Sequence, residues 1–363
     1  MKLQVTQENL AKALASVARV ANGKGTLPIL TNVLLKTIDG RLSIAATNLD
    51  IAITQYIGAK VSEQGAITVP ARLMQDFVSS LPSGVIELRL DENKLHITAE
   101  KYKSIINGIS AEDFPVMPAI EDGNSWPINA QKLKQALQQV VIAASNDEAR
   151  PVLTGVFWHS IEHQLYIVAT DSYRLAEKRL GPIDQDIKLL LPASSLQDLL
   201  RSIGDFSGDI TVTYDDQQVL FQVGDIELVT RLIEGNYPDY RRLIPDEFAT
   251  TATVEKADMT NITKVSSLFA RESAGSVTIN VDNGEQQVSI RSIASQLGEN
   301  TANASATITG DGVITLNSRY IMDALHAING DSVTLSFNGK LEPTTLHSAS
   351  HDDYVHVIMP LKS

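Results

Sequence analysis

Four groups of residues in this 363-residue chain have types and spacings that could do chemistry. His159 and His163 stand four apart, a spacing that on a helix would aim both at one metal ion. The apolar alternation around them instead places them astride a hairpin turn, where residues four apart share no face. Asn22-Gly23-Lys24-Gly25-Thr26 has the composition of a phosphate loop, yet it lacks the leading glycine spacing and follows a helical pattern, not a strand. It reads as a flexible turn. Asp215-Asp216 and Asp352-Asp353 fall at predicted turns, where acids are solvated. Thr170-Asp171 offers an acid with no base or nucleophile recurring near it. The chain has no cysteine, which excludes thiol nucleophiles, thiolate metal sites and disulfides together. We expect no catalysis, no metal and no cofactor.

What remains is a set of cations suited to phosphate. Lys12, Arg19, Arg72, Lys132, Arg201, Lys264 and Arg319 fall away from apolar stripes of helical spacing. The first stripe is Leu10, Ala13, Leu14, Val17 and Ala21; the second is Leu133, Leu137, Val140 and Val141, in a helix over 129–144. The third is Met259, Ile262, Val265 and Phe269. The elements carrying these residues are repeated. Thr68-Val69-Pro70-Ala71-Arg72-Leu73-Met74-Gln75-Asp76-Phe77-Val78 returns as Leu190-Leu191-Pro192-Ala193-Ser194-Ser195-Leu196-Gln197-Asp198-Leu199-Leu200. It returns again, more loosely, as Thr315-Leu316-Asn317-Ser318-Arg319-Tyr320-Ile321-Met322-Asp323-Ala324-Leu325. Each copy is an apolar strand end, a Pro or Asn stop and an amphipathic helix.

The strands repeat too. Leu27 to Leu35 matches Arg150 to Trp158, and Leu42 to Asn48 matches Leu165 to Asp171, both at an offset of 123. Hairpins are predicted at Val85–Leu90 with Leu95–Thr98 and at Ile210–Tyr214 with Val219–Val223, and Ser332–Phe337 is the third counterpart. Each repeat reads as helix, strands, helix, strands. Short Pro-, Gly- and acid-containing linkers near 117–124 and 245–249 divide the chain into 1–122, 123–247 and 248–363.

With 43% hydrophobic and 20% charged residues each third can bury a core. The opening residues lack the apolar core of a signal peptide, and no run reaches the ~20 apolar residues of a membrane span. A soluble, cytoplasmic protein is expected. A net charge of −13 argues on average against nucleic acid, but a closed object can keep acid outside and base inside. Helices are ~10 Å across, so the six of one chain would enclose a hole of roughly 9 Å. The two grooves of B-DNA are together ~16 Å deep, too much for that hole. Twelve helices from two chains leave about 28 Å, and a duplex passes. A DNA-encircling ring would therefore be a homodimer closed head to tail.

The residues also resemble a family, the bacterial sliding clamps, beta subunits of the replicative DNA polymerase, over essentially the whole chain. The matching strings are Thr26-Leu27-Pro28-Ile29-Leu30, Val69-Pro70-Ala71-Arg72, Asp113-Phe114-Pro115, Val168-Ala169-Thr170-Asp171 with Arg174-Leu175-Ala176, Tyr237-Pro238-Asp239-Tyr240-Arg241-Arg242 and Val357-Ile358-Met359-Pro360-Leu361. The resemblance implies an α+β fold of three clamp domains, helices inside and antiparallel sheets outside, in a head-to-tail homodimer. It implies sequence-independent binding of double-stranded DNA. Polymerase, clamp loader and repair proteins would dock through short linear peptides. Their cleft would contain Leu153, Thr170, Ser172, Tyr173, Arg174, Leu175, Pro238, Arg242, Leu243, Tyr320, Val357, Met359, Pro360 and Leu361. An apolar chain end carrying Met suits a surface that receives varied partners.

DNA contacts are carried over to Lys24, Arg72 and Arg150. Here Ala193-Ser194 stands where a basic pair is expected, Pro151-Val152 replaces an aromatic pair, and Ser172-Tyr173 replaces Gly-His. The dimer seam is carried over to Ile106, Leu268 and Phe269, and the last two fit the helix's own core equally well. The alternative to a clamp is a repeat-built peptide-binding scaffold that does not encircle DNA.

Overall fold

The structure, a computed structural model, describes residues 1–21, 27–295 and 298–362. Among the described residues six α-helices recur in pairs: α1 (Gln7–Val17), α2 (Ala71–Ser80), α3 (Ala130–Val140), α4 (Ala193–Ile203), α5 (Lys256–Phe269) and α6 (Ser318–Ala327). The even-numbered helices open directly after Pro70, Pro192 and Asn317, as the repeated motif predicts. The same three residues end strands in equivalent register, opposite Asn32, Gly155 and Ser276. Proline suits a strand end because it has no N–H to give to a ladder. In the third copy Asn317 Oδ1 instead accepts the Arg319 N–H at 2.9 Å, capping α6.

Two compact units emerge, and the division runs through the second repeat. One comprises Met1–Leu133 and Gln197–Leu232, the other Lys134–Leu196 and Ile233–Ser363. The first unit holds a five-stranded antiparallel sheet in the order Lys60–Glu63, Lys2–Thr6, Val85–Asp91, Lys94–Ala99, Tyr102–Asn107. Its second sheet has eight strands, ordered Asn124–Asn129, Asp209–Tyr214, Gln218–Val223, Ile226–Arg231, Ile51–Gly58, Arg41–Thr47, Asn32–Ile38, Ala66–Pro70. Helix α1 buries Leu10, Ala13, Leu14 and Val17 completely, against α2 and strands of both sheets. It ends at Val17, so the stripe stops short of Ala21.

The other unit is one twelve-stranded sheet. Its order is Lys188–Pro192, Gly155–Ile161, Gln164–Thr170, Arg174–Pro182, Tyr354–Ile358, Thr344–Ser348, Ser332–Phe337, Thr250–Glu255, Gly298–Thr309, Gln287–Ala294, Ser276–Asp282, Gly312–Asn317. Helix α5 departs from the expected stripe. It buries Met259, Ile262, Thr263 and Ser266, leaving Val265 at 44% and Leu268 at 50% exposure. The small hydroxyls are satisfied where they are buried: Asn300 of the sheet donates to Ser266 Oγ at 3.0 Å, and Thr263 bonds back to Met259 O of its own helix.

Consecutive repeats are joined by the same strand pairing, used twice. Ile226–Arg231 pairs with Ile51–Gly58, with Ile226 opposite Gln55; Tyr354–Ile358 pairs with Arg174–Pro182, with Tyr354 opposite Lys178. At both joints a backbone N–H donates to the carbonyl of an aspartate entering the last strand, Tyr56 to Asp225 at 2.9 Å and Arg179 to Asp353 at 2.8 Å. Both aspartates also hold a cation, Arg41 at 2.8 Å and Lys178 at 2.6 Å. Asp352-Asp353, expected as solvated turn charges, is thus partly an ion-pair lock. No helix among the described residues is long and apolar enough to cross a membrane.

Candidate functional site

The resemblance gathers its cleft around the turn after Thr170, which the structure builds from side chains. Thr170 Oγ1 donates to Arg174 O at 2.6 Å and accepts from Ser172 N, while Asp171 Oδ1 accepts the Tyr173 and Arg174 N–H groups at 2.9 Å. Ser172 adopts φ 77°, the left-handed region that suits the glycine expected there. The first repeat makes the same turn with Thr47, Asn48 and Leu49, the last at φ 79°. Asp171 is therefore a structural acid and supplies no free carboxylate for catalysis.

The turn lifts Tyr173 into solvent, 61% exposed, and leaves Leu175 buried below. Leu175 and Val357, opposite each other on paired strands, form an apolar floor with Val168 and Tyr240; Phe157, Tyr237, Ile244 and Val355 pack against it. The chain end continues along this floor. Met359 N donates to Tyr173 O at 2.8 Å and Leu361 N to Thr315 O at 2.9 Å, leaving Met359, Pro360 and Leu361 half-buried. Leu153 is buried, and Pro238, Arg242 and Leu243 are exposed on the segment around Tyr240.

Charge at this recess is internally paired. Arg174 contacts Asp171 at 3.1 Å and Asp323 at 2.5 Å, with its guanidinium 4.5 Å from the Tyr320 ring centre. Arg242 pairs with Asp239 at 2.6 Å. Arg150, expected on DNA, pairs with Asp147 at 3.4 Å and donates to Ser172 Oγ at 3.0 Å, so it braces the turn. Beneath the floor, His356 is fully buried and hydrogen-bonded to Tyr354 at 2.8 Å; burial, then Arg174, pushes its pKa down to about 3.

Sequence reasoning missed one group entirely. His159, set aside as a chance half of a metal pair, is buried 2.7 Å from Tyr240 Oη, which donates in turn to Glu177. Arg241 stands 3.2 Å from Glu177 and 4.4 Å over the Tyr166 ring. Burial, then Arg241, lowers the His159 pKa to about 4, and burial with Glu177 raises that of the Tyr240 phenol. His163, at φ 58°, lies in the hairpin turn as expected.

The other predicted residues are dispersed. Lys24 lies outside the described residues. Arg72 is 96% exposed in its side chain, with Asp76 3.9 Å away; Lys12, Lys132, Arg201, Lys264 and Arg319 are exposed on their helices, and Arg19 is exposed in the turn just past the end of α1. Ile106, carried over to the seam, is buried in the single chain, and the neighbouring Ile105 points outward at 59% exposure. Leu268 is half exposed and Phe269 part-exposed, so neither forms the core of α5.

No group of three or more potential metal ligands occurs among the described residues. The described surface thus comprises a repeated strand joint, helices carrying exposed cations and an apolar recess with paired charges. Three family models describe the DNA polymerase III beta subunit: its N-terminal domain matches residues 1–118, its central domain 127–239 and its C-terminal domain 241–362. The chain belongs to this family, the beta sliding clamps, which are non-catalytic polymerase subunits. Beta sliding clamps of Staphylococcus epidermidis and Staphylococcus aureus are each 28% identical to it over 376 residues, with 100% of both chains covered. The Bacillus subtilis DNA polymerase sliding clamp superposes with a TM-score of 0.96 at 28% identity, over 100% of this chain and 99% of that one. A Bartonella birtlesii clamp bound to griselimycin gives 0.94 at 26%, with both chains fully covered.

Proposed function

We propose that this chain acts as a DNA sliding clamp in the bacterial cytoplasm, a ring of two copies that holds duplex DNA by topology and tethers a polymerase and other replication and repair proteins. The carrying observation is the joint between repeats. Its two halves occur once more, each without a mate among the described residues. Tyr102–Asn107, the counterpart of Ile226–Arg231 and Tyr354–Ile358, is the outermost strand of its sheet. Residues 298–305 of the third repeat pair on one side only, with Gln287–Ala294. Ala302 faces Ile290 there, as Gln55 faces Ile44 and Lys178 faces Ile167. A second copy supplies the missing mate, and a head-to-tail arrangement that closes after two copies makes a ring. The chain divides on this reading into 1–122, 123–247 and 248–363.

Within each copy, the floor of Leu175 and Val357 with the rim of Leu153, Thr170, Ser172, Tyr173, Arg174, Pro238, Arg242, Leu243, Tyr320, Met359, Pro360 and Leu361 receives a partner's peptide. Each buried Leu or Phe anchor contributes up to ~2 to 3 kcal/mol, which after ordering costs gives roughly micromolar, exchangeable binding. The exposed helix cations, Arg72 among them and with Lys24, touch phosphate without reading sequence. Leu268 and Phe269 lie at the seam with the strand that carries Ile105 and Ile106.

The test is retention on DNA. Loaded by a clamp loader onto a nicked circle, the protein should stay bound through a high-salt wash and be released once the circle is cut. Equal retention on circular and linear DNA would overturn the ring and favour a scaffold bound by phosphate contacts alone. The seam has its own test, because the chain has no cysteine. Transferring the internal register places Lys103 opposite Thr301 of the second copy. Lys103→Cys with Thr301→Cys should therefore give a disulfide-linked dimer, and the pair Lys103→Cys with Ala302→Cys should not.

A further inference from the structure

The wall of the recess that carries Pro238, Arg242 and Leu243 belongs to no strand. Between Arg231 and Thr250 the chain has one 3-10 turn, Arg241–Leu243, whose hydrogen bonds are local: Leu243 N to Tyr240 O at 2.9 Å and Ile244 N to Arg241 O at 3.1 Å. Something other than a ladder must set its position. Tyr240 is the buried residue of this stretch, 3% exposed, with its ring on Val168, Leu175 and Val357. Its hydroxyl has one proton, which goes to Glu177; the 2.7 Å contact with His159 is then a bond from Nε2–H to the phenol oxygen. Glu177, 12% exposed in its side chain, also takes Arg241 at 3.2 Å. The chain His159, Tyr240, Glu177, Arg241 thus crosses from two strands to the wall, and Arg241 closes it with further contacts to Tyr240 and Tyr166.

We propose that the Tyr240 hydroxyl is a positioning group for partner binding: anchored between His159 and Glu177, it fixes the wall so that Leu243 stands over the floor of Leu175 and Val357. Tyr240 itself touches the partner nowhere on this account. The inference rests on the partner cleft proposed above. A pre-set wall lowers the ordering cost of binding, so its loosening should appear in affinity and dissociation rate before it appears in stability.

The measurement is binding of griselimycin to the full-length dimer by surface plasmon resonance. Tyr240→Phe keeps the ring and removes the hydroxyl; about tenfold weaker binding is expected, mainly through faster dissociation, with dimer mass unchanged. Glu177→Leu, which removes the acceptor from the strand side, should reproduce the weakening, and Glu177→Gln, which keeps an acceptor, should restore most of the affinity. Added to Leu243→Ala, Tyr240→Phe should cost less than twofold more, because both act through the same side chain. A Tyr240→Phe affinity within twofold of wild type, or full additivity with Leu243→Ala, would overturn the inference. The cleft fails separately, if Leu243→Ala and Met359→Ser each leave griselimycin binding unchanged.

Discussion

Arg174 of the second repeat reaches Asp323 of the third at 2.5 Å, midway along helix α6, while its other edge holds Asp171 at 3.1 Å. The first pair crosses 149 residues of chain, the second three. One guanidinium therefore ties the turn that lifts Tyr173 to the helix that carries Tyr320. Asp323→Asn leaves Arg174 its nearer carboxylate and exchanges a charge-assisted bond for a neutral one. The expected cost is about 1 kcal/mol in urea unfolding, with a larger proportional fall in peptide affinity at the proposed cleft as the turn loosens.

The joint around Lys178 makes a sharper prediction. This side chain is nearly buried, and its ammonium depends on Asp353 at 2.6 Å. Asp353→Ala strands a buried cation and should destabilise the chain by about 2 to 3 kcal/mol. Lys178→Met should cost less, because the acid it leaves behind is part-exposed and can be hydrated. The two denaturant midpoints decide the order.

Acid should weaken the fold in a defined window. The unfolded chain's histidines titrate near 6.5, but His159 and His356 hold out to about 4 and about 3 in the folded protein. Both folded values are depressed, so between these limits the unfolded state binds more protons and stability rises with pH. The contribution is complete above pH 6.5 and is lost as pH falls toward 3. A series of urea midpoints from pH 7 to 3.5 should show this slope, and His356→Leu should flatten its lower part.

Leu49 sits at φ 79°, a conformation a leucine adopts only under strain, and 46% exposed it gains little burial in return. Leu49→Asn should raise stability by about 0.5 to 1 kcal/mol, since Asn tolerates the left-handed region. Thermal unfolding measures it directly. A decrease instead would mean that this leucine packs against a partner copy or ligand.

Replacing Met359 and Leu361 with Ser should weaken peptide binding at the proposed cleft by about 30-fold for each apolar anchor removed, the equivalent of ~2 kcal/mol. The dimer should persist, because these residues belong to neither half-paired strand, Tyr102–Asn107 or residues 298–305. Dimer dissociation in sedimentation would count against this placement of the cleft.

Much of the architecture was legible in residue patterns. Pro70, Pro192 and Asn317 marked three helix starts to the residue, and the Val219–Val223 strand and its partner fell where alternation put them. The strands that make the joints were not legible. Arg174–Pro182 carries Glu177 and Arg179 on one face and reads as polar, and Gly298–Thr309 is a run of small and polar residues without an apolar period. The short strands Lys2–Thr6 and Asn124–Asn129 were hidden in front of helices. In the proposed site, the structure brings strings such as Thr170-Asp171 and Val357 to Leu361 to one recess, because they act locally or along one strand. The Tyr240–Glu177 bond spans 63 residues and joins residue types that are common on any surface. Nothing in composition or spacing could announce it.

Because the eight- and twelve-stranded sheets each run across a repeat boundary, the repeat of the sequence is not the piece that can be cut out. Excising 123–247 would sever two ladders and bare the strands Ile226–Arg231 and Arg174–Pro182 along their full length, ready-made templates for fibrous association. A dissection that respects repeat boundaries should therefore yield insoluble fragments. The same property limits how such a chain can grow or shrink through duplication: a copy added or deleted must bring both halves of a joint with it, or leave a raw edge behind.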